Sequence, residues 1–358
     1  MKKESRRSLW ILFIVLLILG IILKLGITFD KGVKDDNPRF VFAQLTDLHI
    51  CKVNKYVSPI NSKDDDSTHS VRCQTDNDGS ILLEAGINGR GNVRQVIGKI
   101  NNHYPLVNYT FITGDITQYG SRLARAQDLF TNSTEQKSIT QLQIAKTELD
   151  NLSMKYFPVV GNHDVLNADY YYARDISRGF REVFNLTSTY YSFPIDNQFQ
   201  FVIMDCMRDK LIIPKNVIFN CSQDELDGLE NSLKNGKKTF VFMHVPLFRT
   251  DSKSIPNANA NKILAIFSKY PNFVMSIGGH AGGNSGKLEV DTLTGVKQFI
   301  GSHKNIYDHN GDDKNLNSPI PTIAYFSVYE DRVIINQECT SFWCFNPSQI
   351  VIYLNSSF

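Results

Sequence analysis

The sequence lacks the short motifs of several large enzyme classes. It has no Gly-x-Ser-x-Gly, no Gly-x-x-x-x-Gly-Lys-Ser/Thr loop, and no Gly-x-Gly-x-x-Gly that opens a helix after a strand. Basic residues form no run outside the N-terminus, and the formal net charge of the 358 residues is only +2. These absences argue against a serine hydrolase, a P-loop nucleotide hydrolase and a dinucleotide-binding protein. The near-neutral charge argues against a nucleic-acid-binding surface.

Alanine is absent before Ala43, so the N-terminal apolar stretch has no obvious small-x-small cleavage site. Residues 9–29 are apolar apart from Lys24 and follow a basic tail, residues 1–8. This length can cross the ~30 Å hydrocarbon layer if Lys24 snorkels to the interface. We therefore expect a transmembrane signal anchor, with the tail in the cytosol and the rest in the lumen or outside the cell. A cleaved signal peptide, followed by secretion, is the alternative.

The cysteines and the glycosylation sequons agree with translocation. All six cysteines follow the apolar segment, and an even number in an oxidising compartment favours disulfides. Cys206 and Cys221 are close in sequence, as are Cys339 and Cys344, but six cysteines allow fifteen pairings, so the connectivity stays open. Acceptor sequons occur at Asn108, Asn132, Asn151, Asn185, Asn220 and Asn355. These features predict a disulfide-bonded glycoprotein.

The pattern of apolar residues predicts an α/β fold of two facing mixed β-sheets flanked by helices. Apolar strands alternate with helices expected over 92–104, 139–154, from Ser222 onward and over 262–269. The first of these helices places Tyr104 on its apolar face. Residues 30–38 read as a linker, 39–301 as the main domain with a long insert at 51–91, and 302–358 as a β-rich extension that packs on it.

Five short apolar runs each end in a residue type that binds metal ions. They end at Asp47, with His49 two residues on, at Asp115, at Asn162 followed by His163 and Asp164, at His244 and at His280. Each residue alone is ordinarily a turn or capping residue. Ligands in open α/β sheets lie beyond the carboxyl ends of the strands, so we expect the five ends to converge. Carboxylate, amide oxygen and imidazole without thiolate suit iron, zinc or manganese better than calcium.

In order and spacing these blocks resemble the calcineurin-like metallophosphoesterase superfamily. The family pattern is Asp-x-His, Gly-Asp, Gly-Asn-His-Asp/Glu, a lone His and Gly-His-x-His. This chain reads Asp47-Leu48-His49, Gly114-Asp115, Gly161-Asn162-His163-Asp164, His244 and Gly279-His280-Ala281-Gly282. The likeness covers roughly residues 39–301 and implies a four-layer sandwich. The transmembrane helix expected over residues 9–29 would precede it. A finer likeness, carried by the apolar segment and Asn167, is to the eukaryotic transmembrane protein 62 group.

The resemblance implies a role for each matching residue. Asp47 and His49 would bind one metal ion, and Asn162, His244 and His280 the other, with Asp115 bridging them. His163 would stabilise the transition state or donate a proton to the leaving group, and Asp164 would orient it. Two Mn, Fe or Zn ions would activate water for the hydrolysis of a phosphate ester.

The chain departs from the family pattern at Gly282, where the family has a metal-binding histidine. Three alternatives remain: three protein ligands plus water at that metal, replacement by His303 or His309, or a weakened or lost metal. Gln118 stands where the purple acid phosphatase branch has tyrosine, which argues against that branch. A phosphodiesterase acting on lipid headgroups, similar to the acid sphingomyelinase branch, and a catalytically degenerate binding protein are the rival functions. The sequence leaves the oligomeric state open.

Overall fold

The described strands pair into two mixed sheets of six strands each in the computed structural model. The structure describes residues 37–48, 50, 93–117, 141–165, 177–207, 219–248, 259–280, 286–301, 322–339 and 349–354. All strands and helices named below lie within these ranges.

The first sheet combines strands from both ends of the chain, in the order β12-β11-β10-β1-β2-β3. Strands β1 to β3 are parallel, whereas β10 pairs antiparallel with β1, and β11 and β12 continue antiparallel. The bounds are Phe40–Leu45 (β1), Tyr109–Thr113 (β2), Lys155–Val159 (β3), Thr322–Val328 (β10), Arg332–Cys339 (β11) and Ile350–Tyr353 (β12). The C-terminal strands therefore complete the sheet that β1 begins.

The second sheet has the order β4-β5-β6-β7-β9-β8. Its four inner strands are parallel, and β4 and β8 are antiparallel edges. The bounds are Tyr191–Pro194 (β4), Phe199–Ile203 (β5), Lys238–Phe242 (β6), Phe273–Gly278 (β7), Lys287–Val290 (β8) and Lys297–Ile300 (β9). The prediction of two mixed sheets with helices is confirmed.

Helices cover the outer faces of both sheets. Their bounds are Val93–Asn101 (α1), Gln141–Leu149 (α2), Asn162–Val165 (α3), Arg178–Phe184 (α4), Gln223–Leu233 (α5) and Ala260–Lys269 (α6). Buried residues of α1 and α2 share one apolar cluster with Val41 and Leu45 of β1. Buried residues of α5 and α6 share another with Val202 of β5 and Val241 of β6. Because strand side chains alternate between faces, the opposite face of each strand is free to meet the other sheet.

Phenylalanine fills the space between the two sheets. Phe42 of β1 stacks on Phe326 at 4.5 Å and meets Phe240 and Phe242 of the second sheet edge-on, at 5.4 and 5.7 Å. Phe111 of β2 stacks on Phe242 at 3.7 Å. Burying one such ring stabilises the fold by about 1.5–3 kcal/mol, so this layer holds the carboxyl ends of β1, β2 and β6 in fixed register.

The first helix ends earlier than its periodicity predicted. Helix α1 stops at Asn101, and Tyr104 is 90% exposed, so the prediction that Tyr104 lies on the buried face was wrong. The physical reason is Pro105, because the residue before a proline is disfavoured in the helical conformation. Helix α5 begins as expected at Ser222, whose hydroxyl caps Glu225 in a complete capping box.

The structure bears on one of the two predictions about translocation, the disulfides, and does not describe the apolar segment. Cys206 and Cys221 form a disulfide, which selects one pair among the alternatives. Within the described ranges, no helix is long and apolar enough to span a membrane. Residues 9–29, the insert at 51–91 and Asn167 lie outside the described residues, so the anchor stays a prediction.

Candidate metal centre

Three of the expected ligands lie where strands end in a left-handed turn. Asp47 follows β1 with φ 52°, Asp115 follows β2 with φ 50°, and His280 follows β7 with φ 60°. Residues other than glycine rarely adopt this region, which costs of order 1–3 kcal/mol and is found mainly at functional sites. The turn directs each side chain back over the sheet edge, so residues from both sheets meet there.

Glycines before these ligands allow the loops to approach one another. A Cβ atom on Gly279 would lie 1.8 Å from Thr46 Oγ1 and 2.6 Å from Asp47 Oδ2. On Gly161 it would lie 2.1 Å from the Asp115 amide nitrogen. Close packing of the site therefore requires the glycines of the Gly-Asn-His-Asp and Gly-His blocks, since neither has a left-handed φ.

His244 lies at the centre of the cluster and is fully buried. Its Nδ1 donates to the main-chain carbonyl of Thr113 (2.8 Å), because a carbonyl oxygen can only accept. Its Nε2 then faces Asn162 Oδ1 at 3.1 Å and Asp115 Oδ2 at 3.2 Å. In the neutral ring, the Nε2 lone pair therefore points toward the side-chain oxygens of Asn162 and Asp115. A metal ion shared by these three residues requires this arrangement.

The ligand atoms of Asp115, His244 and His280 all lie within 4.8 Å of one another. The surrounding charge favours a cation: although burial disfavours the imidazolium, the carboxylates of Asp115 and Asp47 raise the pKa of His244 to about 9. The donors comprise carboxylate, amide oxygen and imidazole, which fits the mixed nitrogen and oxygen ligation expected for manganese, iron or zinc. Of the expected set, Asp47, Asp115, Asn162, His244 and His280 are described and converge on this edge.

Asp47 and His280 are also joined directly. The main-chain N–H of His280 donates to Asp47 Oδ2 (3.0 Å), and the Thr46 hydroxyl lies 2.6 Å from the same oxygen. Asp47 N–H donates to the Gly114 carbonyl (3.0 Å). These contacts fix the loop after β1 against those after β2 and β7, so one carboxylate links two sheets.

Asp164 fixes the turn that carries Asn162 and His163. Its carboxylate accepts from the Gly161 amide (2.9 Å) and from the amide and hydroxyl of Thr117 (2.9 and 3.0 Å). Burial, followed by the neighbouring charge of Asp115, raises the pKa of Asp164 to about 7. These contacts orient His163 through the main chain, and His163 N–H in turn donates to Asp115 Oδ1 (2.8 Å).

A glutamine side chain connects the two sheets next to the expected ligands. Gln44 occupies the inward position of β1 after Phe40 and Phe42, and its Nε2 donates to Thr113 Oγ1 (2.7 Å) and to the Gly278 carbonyl (2.8 Å). It therefore bridges β2 of the first sheet and β7 of the second just beneath the ligands. Nothing in the local pattern of β1 distinguishes this glutamine from an ordinary strand residue.

Several residues of the expected site lie outside the described ranges. These are His49, Gly282, His303, His309 and Gln118. The ligand set of the metal at Asp47 and His49, and the three alternatives for Gly282, therefore stay predictions.

One buried acid at a strand end was not predicted from the sequence. Asp205 follows β5, is fully buried, and accepts from the hydroxyls of Ser177 (3.1 Å) and Thr189 and from the Met207 amide (3.0 Å). The apolar run FQFVIM before it has the same form as the five runs that were recognised. That run was the signal that could have found both β5 and Asp205.

A model of the calcineurin-like phosphoesterase family matches residues 40–282, about two thirds of the chain. The chain therefore belongs to this family of metal-dependent phosphoesterases. The match spans every block of the metal centre from β1 to Gly282. No curated protein matches the chain.

Several solved structures resemble this chain at low sequence identity. A structure of PhoD superposes with a TM-score of 0.50 at 11% identity, over 90% of this chain and 70% of PhoD. GAP50, described as the anchor in the inner membrane complex of Plasmodium, gives 0.47 at 12% identity, over 90% of each chain. Vps29 from Entamoeba histolytica, complexed with zinc, gives 0.32 at 10% identity, over 88% of this chain and all of Vps29. At this identity the PhoD likeness concerns the fold alone.

Proposed function

We propose that this protein hydrolyses phosphate esters with two metal ions, from the lumenal or extracellular side of a membrane. The observation that carries the proposal is the convergence of Asp115, His244 and His280 within 4.8 Å, on strands that belong to two different sheets. Membership of the calcineurin-like family supports metal-dependent phosphoester chemistry.

The expected ligands, of which all but His49 lie in the described part of the chain, divide into two overlapping sets. Asn162, His244 and His280 would hold one ion, Asp47 with His49 the other, and Asp115 both. When bound, a pair of metal ions neutralises phosphate charge and lowers the pKa of water enough to supply a nucleophile at neutral pH. The buried position of Asp115 and His244 removes competing solvent from this region.

Proton donation to the leaving group would be the role of His163, whose main chain is held by Asp164 and Asp115. His163 is half-buried and directly follows the ligand Asn162 in sequence. By the family pattern, its ring would lie near the leaving-group oxygen of a bound ester. A protonated imidazole there would donate the proton that the departing alkoxide needs. Asp164 and Asp115 hold the main chain of this turn through the Gly161 and His163 amides, so the ring starts from a fixed backbone.

Two features support the proposed location: the apolar N-terminal segment and the disulfide. Residues 9–29 are long and apolar enough for a signal anchor, and the disulfide between Cys206 and Cys221 suits an oxidising compartment. In this arrangement the domain that starts at Arg39 is tethered by a linker of nine residues and acts close to the bilayer surface.

The test is hydrolysis by the purified full chain in detergent, loaded with manganese, zinc or iron. Generic phosphomonoesters, generic phosphodiesters and phosphocholine diesters form the substrate panel. We expect turnover that falls at least about 100-fold in Asp115→Asn, since metal ions supply several kcal/mol of charge stabilisation. Equal, background rates for both proteins on every substrate would contradict the proposal. The ratio of diester to monoester rates decides between the sphingomyelinase-like alternative and a monoesterase.

A catalytically degenerate binding protein is the alternative function, and Gly282 motivates it. The variant Gly282→His restores the family residue and distinguishes an enzyme with one weakly held metal ion from a degenerate binding protein. A large gain in activity would show that one metal is weakly held in the native chain, whereas no activity with or without the change favours the degenerate protein.

A further inference from the structure

The metal centre has an aromatic neighbour that belongs to none of its motifs. Phe219 is buried, and its ring lies 5.0 Å from the His280 ring at an interplanar angle of 74°. On another side the His244 ring lies 5.0 Å from His280 at 77°. The His280 imidazole therefore has two edge-on ring contacts, a geometry that aromatic pairs prefer.

The main chain directly after Phe219 is fixed by two contacts and a covalent bond. The Asn220 amide donates to the Cys206 carbonyl (3.0 Å), and Cys221 is bonded to Cys206. Asn259 donates from Nδ2 to the Cys221 carbonyl (2.6 Å). Phe219 is thus two residues from a cross-link and cannot move far from His280 while that link is intact.

The other half of the disulfide is held equally well. Cys206 adopts a left-handed conformation with φ 51°, and its amide donates to Glu225 Oε1 (3.3 Å), as does the amide of Asp205 (3.0 Å). Glu225 is also part of the capping box of α5, through the Ser222 amide (2.9 Å). The start of α5 therefore anchors both cysteines.

We infer that Phe219 is a positioning residue for the His280 ring, and that the Cys206–Cys221 disulfide holds Phe219 in place, so metal affinity depends on this disulfide. The inference rests on the proposed function, because it takes His280 as a metal ligand. A ligand ring already held in its binding orientation loses less conformational freedom when the metal binds. Without the disulfide, the segment after Phe219 could move. The His280 ring would then have more conformational freedom before the metal binds.

The competing explanation is that Phe219 only fills the apolar cluster that it shares with Met207 and Val245. Phe180 of α4 is a matched control, because it is a buried phenylalanine of the same cluster whose ring contacts Phe184. Phe180→Leu and Phe219→Leu remove the same atoms from the same cluster. A purely structural role would give the two variants the same metal affinity.

The first experiment is calorimetric titration of the metal-free full chain with Mn²⁺. We expect Phe219→Leu to weaken binding about 10-fold or more, the usual effect of losing a residue that orients a ligand, and Phe180→Leu to leave it within about twofold. The visible spectrum of the Co²⁺-loaded protein should change in Phe219→Leu and match the unaltered protein in Phe180→Leu. Equal affinities and equal spectra for the three proteins would overturn the inference.

The second experiment tests the disulfide in the same titration. Cys206→Ser combined with Cys221→Ser should weaken Mn²⁺ binding to a similar degree, and adding Phe219→Leu should weaken it little further, because both changes act through one ring. Full additivity, or unaltered affinity without the disulfide, would overturn the dependence on the disulfide. Phe219→Leu keeps the disulfide, so its result stands even if the serine variant does not fold. If the unaltered chain binds no Mn²⁺, the proposed function fails together with the inference.

Discussion

His244 donates from Nδ1 to the Thr113 carbonyl at 2.8 Å, and this one bond fixes which ring nitrogen is left for a metal ion. Replacing His244 with glutamine removes both the ring and its main-chain anchor. We expect the bound metal, measured by elemental analysis of the full chain, to fall from two ions per chain to one or none. His103→Gln is the matched control, because His103 stacks on Tyr325 outside the site, and it should leave the metal content unchanged. Equal metal content in both variants would contradict this ligand assignment.

Two glycine-to-alanine changes should have opposite effects on stability. In Gly161→Ala the new Cβ meets the Asp115 amide at 2.1 Å, and overpacking of this kind costs about 1–3 kcal/mol. In Gly98→Ala the Cβ has nothing within 4 Å inside α1, and alanine is favoured over glycine in a helix by about 0.5–1 kcal/mol. Denaturant unfolding of the two variants measures the difference. Equal stability would show that the loops after β2 and β3 are not in close contact.

Asp205 should make stability depend on pH. Burial, followed by the charge of Glu225, raises the pKa of Asp205 to about 6 from the ordinary value near 3.8. The folded protein therefore binds a proton more tightly than the unfolded chain, so this group's contribution to the free energy of unfolding is largest below about pH 4 and is lost as the pH rises to 6. The loss is on the order of 3 kcal/mol.

Asp205→Asn removes this titration while keeping an oxygen to accept from the Met207 amide. Urea unfolding between pH 4 and 7 should show a smaller decline in stability with rising pH for the variant than for the unaltered chain. Parallel curves would show that Asp205 titrates alike in the folded and unfolded states.

Asn185 is the described sequon whose geometry best suits glycosylation. It is exposed at the C-terminal end of α4 with φ 54°, and Thr187 is exposed as well. By contrast, Asn108 accepts from the Val41 amide, and Asn151 donates to the Thr147 and Glu148 carbonyls. If the domain is translocated, the full chain expressed in eukaryotic cells should carry a glycan at Asn185.

Thr187→Ala and Thr187→Ser form the matched pair for this test. Alanine destroys the sequon and serine preserves it, while Asn185 keeps its left-handed conformation in both. Treatment with a glycosidase should shift the electrophoretic mobility of the serine variant by one glycan more than that of the alanine variant. Identical mobility before and after treatment would contradict glycosylation at Asn185.

The candidate metal centre was predictable from the sequence because each described ligand follows a strand of its own. Asp47, Asp115 and His280 are marked locally by an apolar run that stops at a polar residue, and a parallel sheet then gathers such ends at one edge. Contacts between distant parts of the chain leave no such mark. The pairing of β10 with β1, the bridge from Gln44 to Gly278 and the contact of Phe219 with His280 depend on packing across the two sheets.

The remaining differences concern β5 and the end of α1. The run before Asp205 was overlooked, although Gln200 interrupts it just as Gln44 interrupts the recognised run before Asp47. Gln200 is buried, and its Nε2 donates to Thr239 Oγ1. The apolar periodicity of α1 extends to Tyr104 in the sequence, but Pro105 disfavours a helical conformation at Tyr104, and the helix ends before it.

The most direct test of the metal centre is a crystal structure of the protein grown with Mn²⁺, with anomalous scattering recorded at the manganese edge. We predict two peaks, both within coordination distance of the Asp115 carboxylate, one of them also contacting Asn162, His244 and His280. Anomalous density that avoids Asp115, or a map with no peak at the carboxyl ends of β1, β2 and β7, would contradict it.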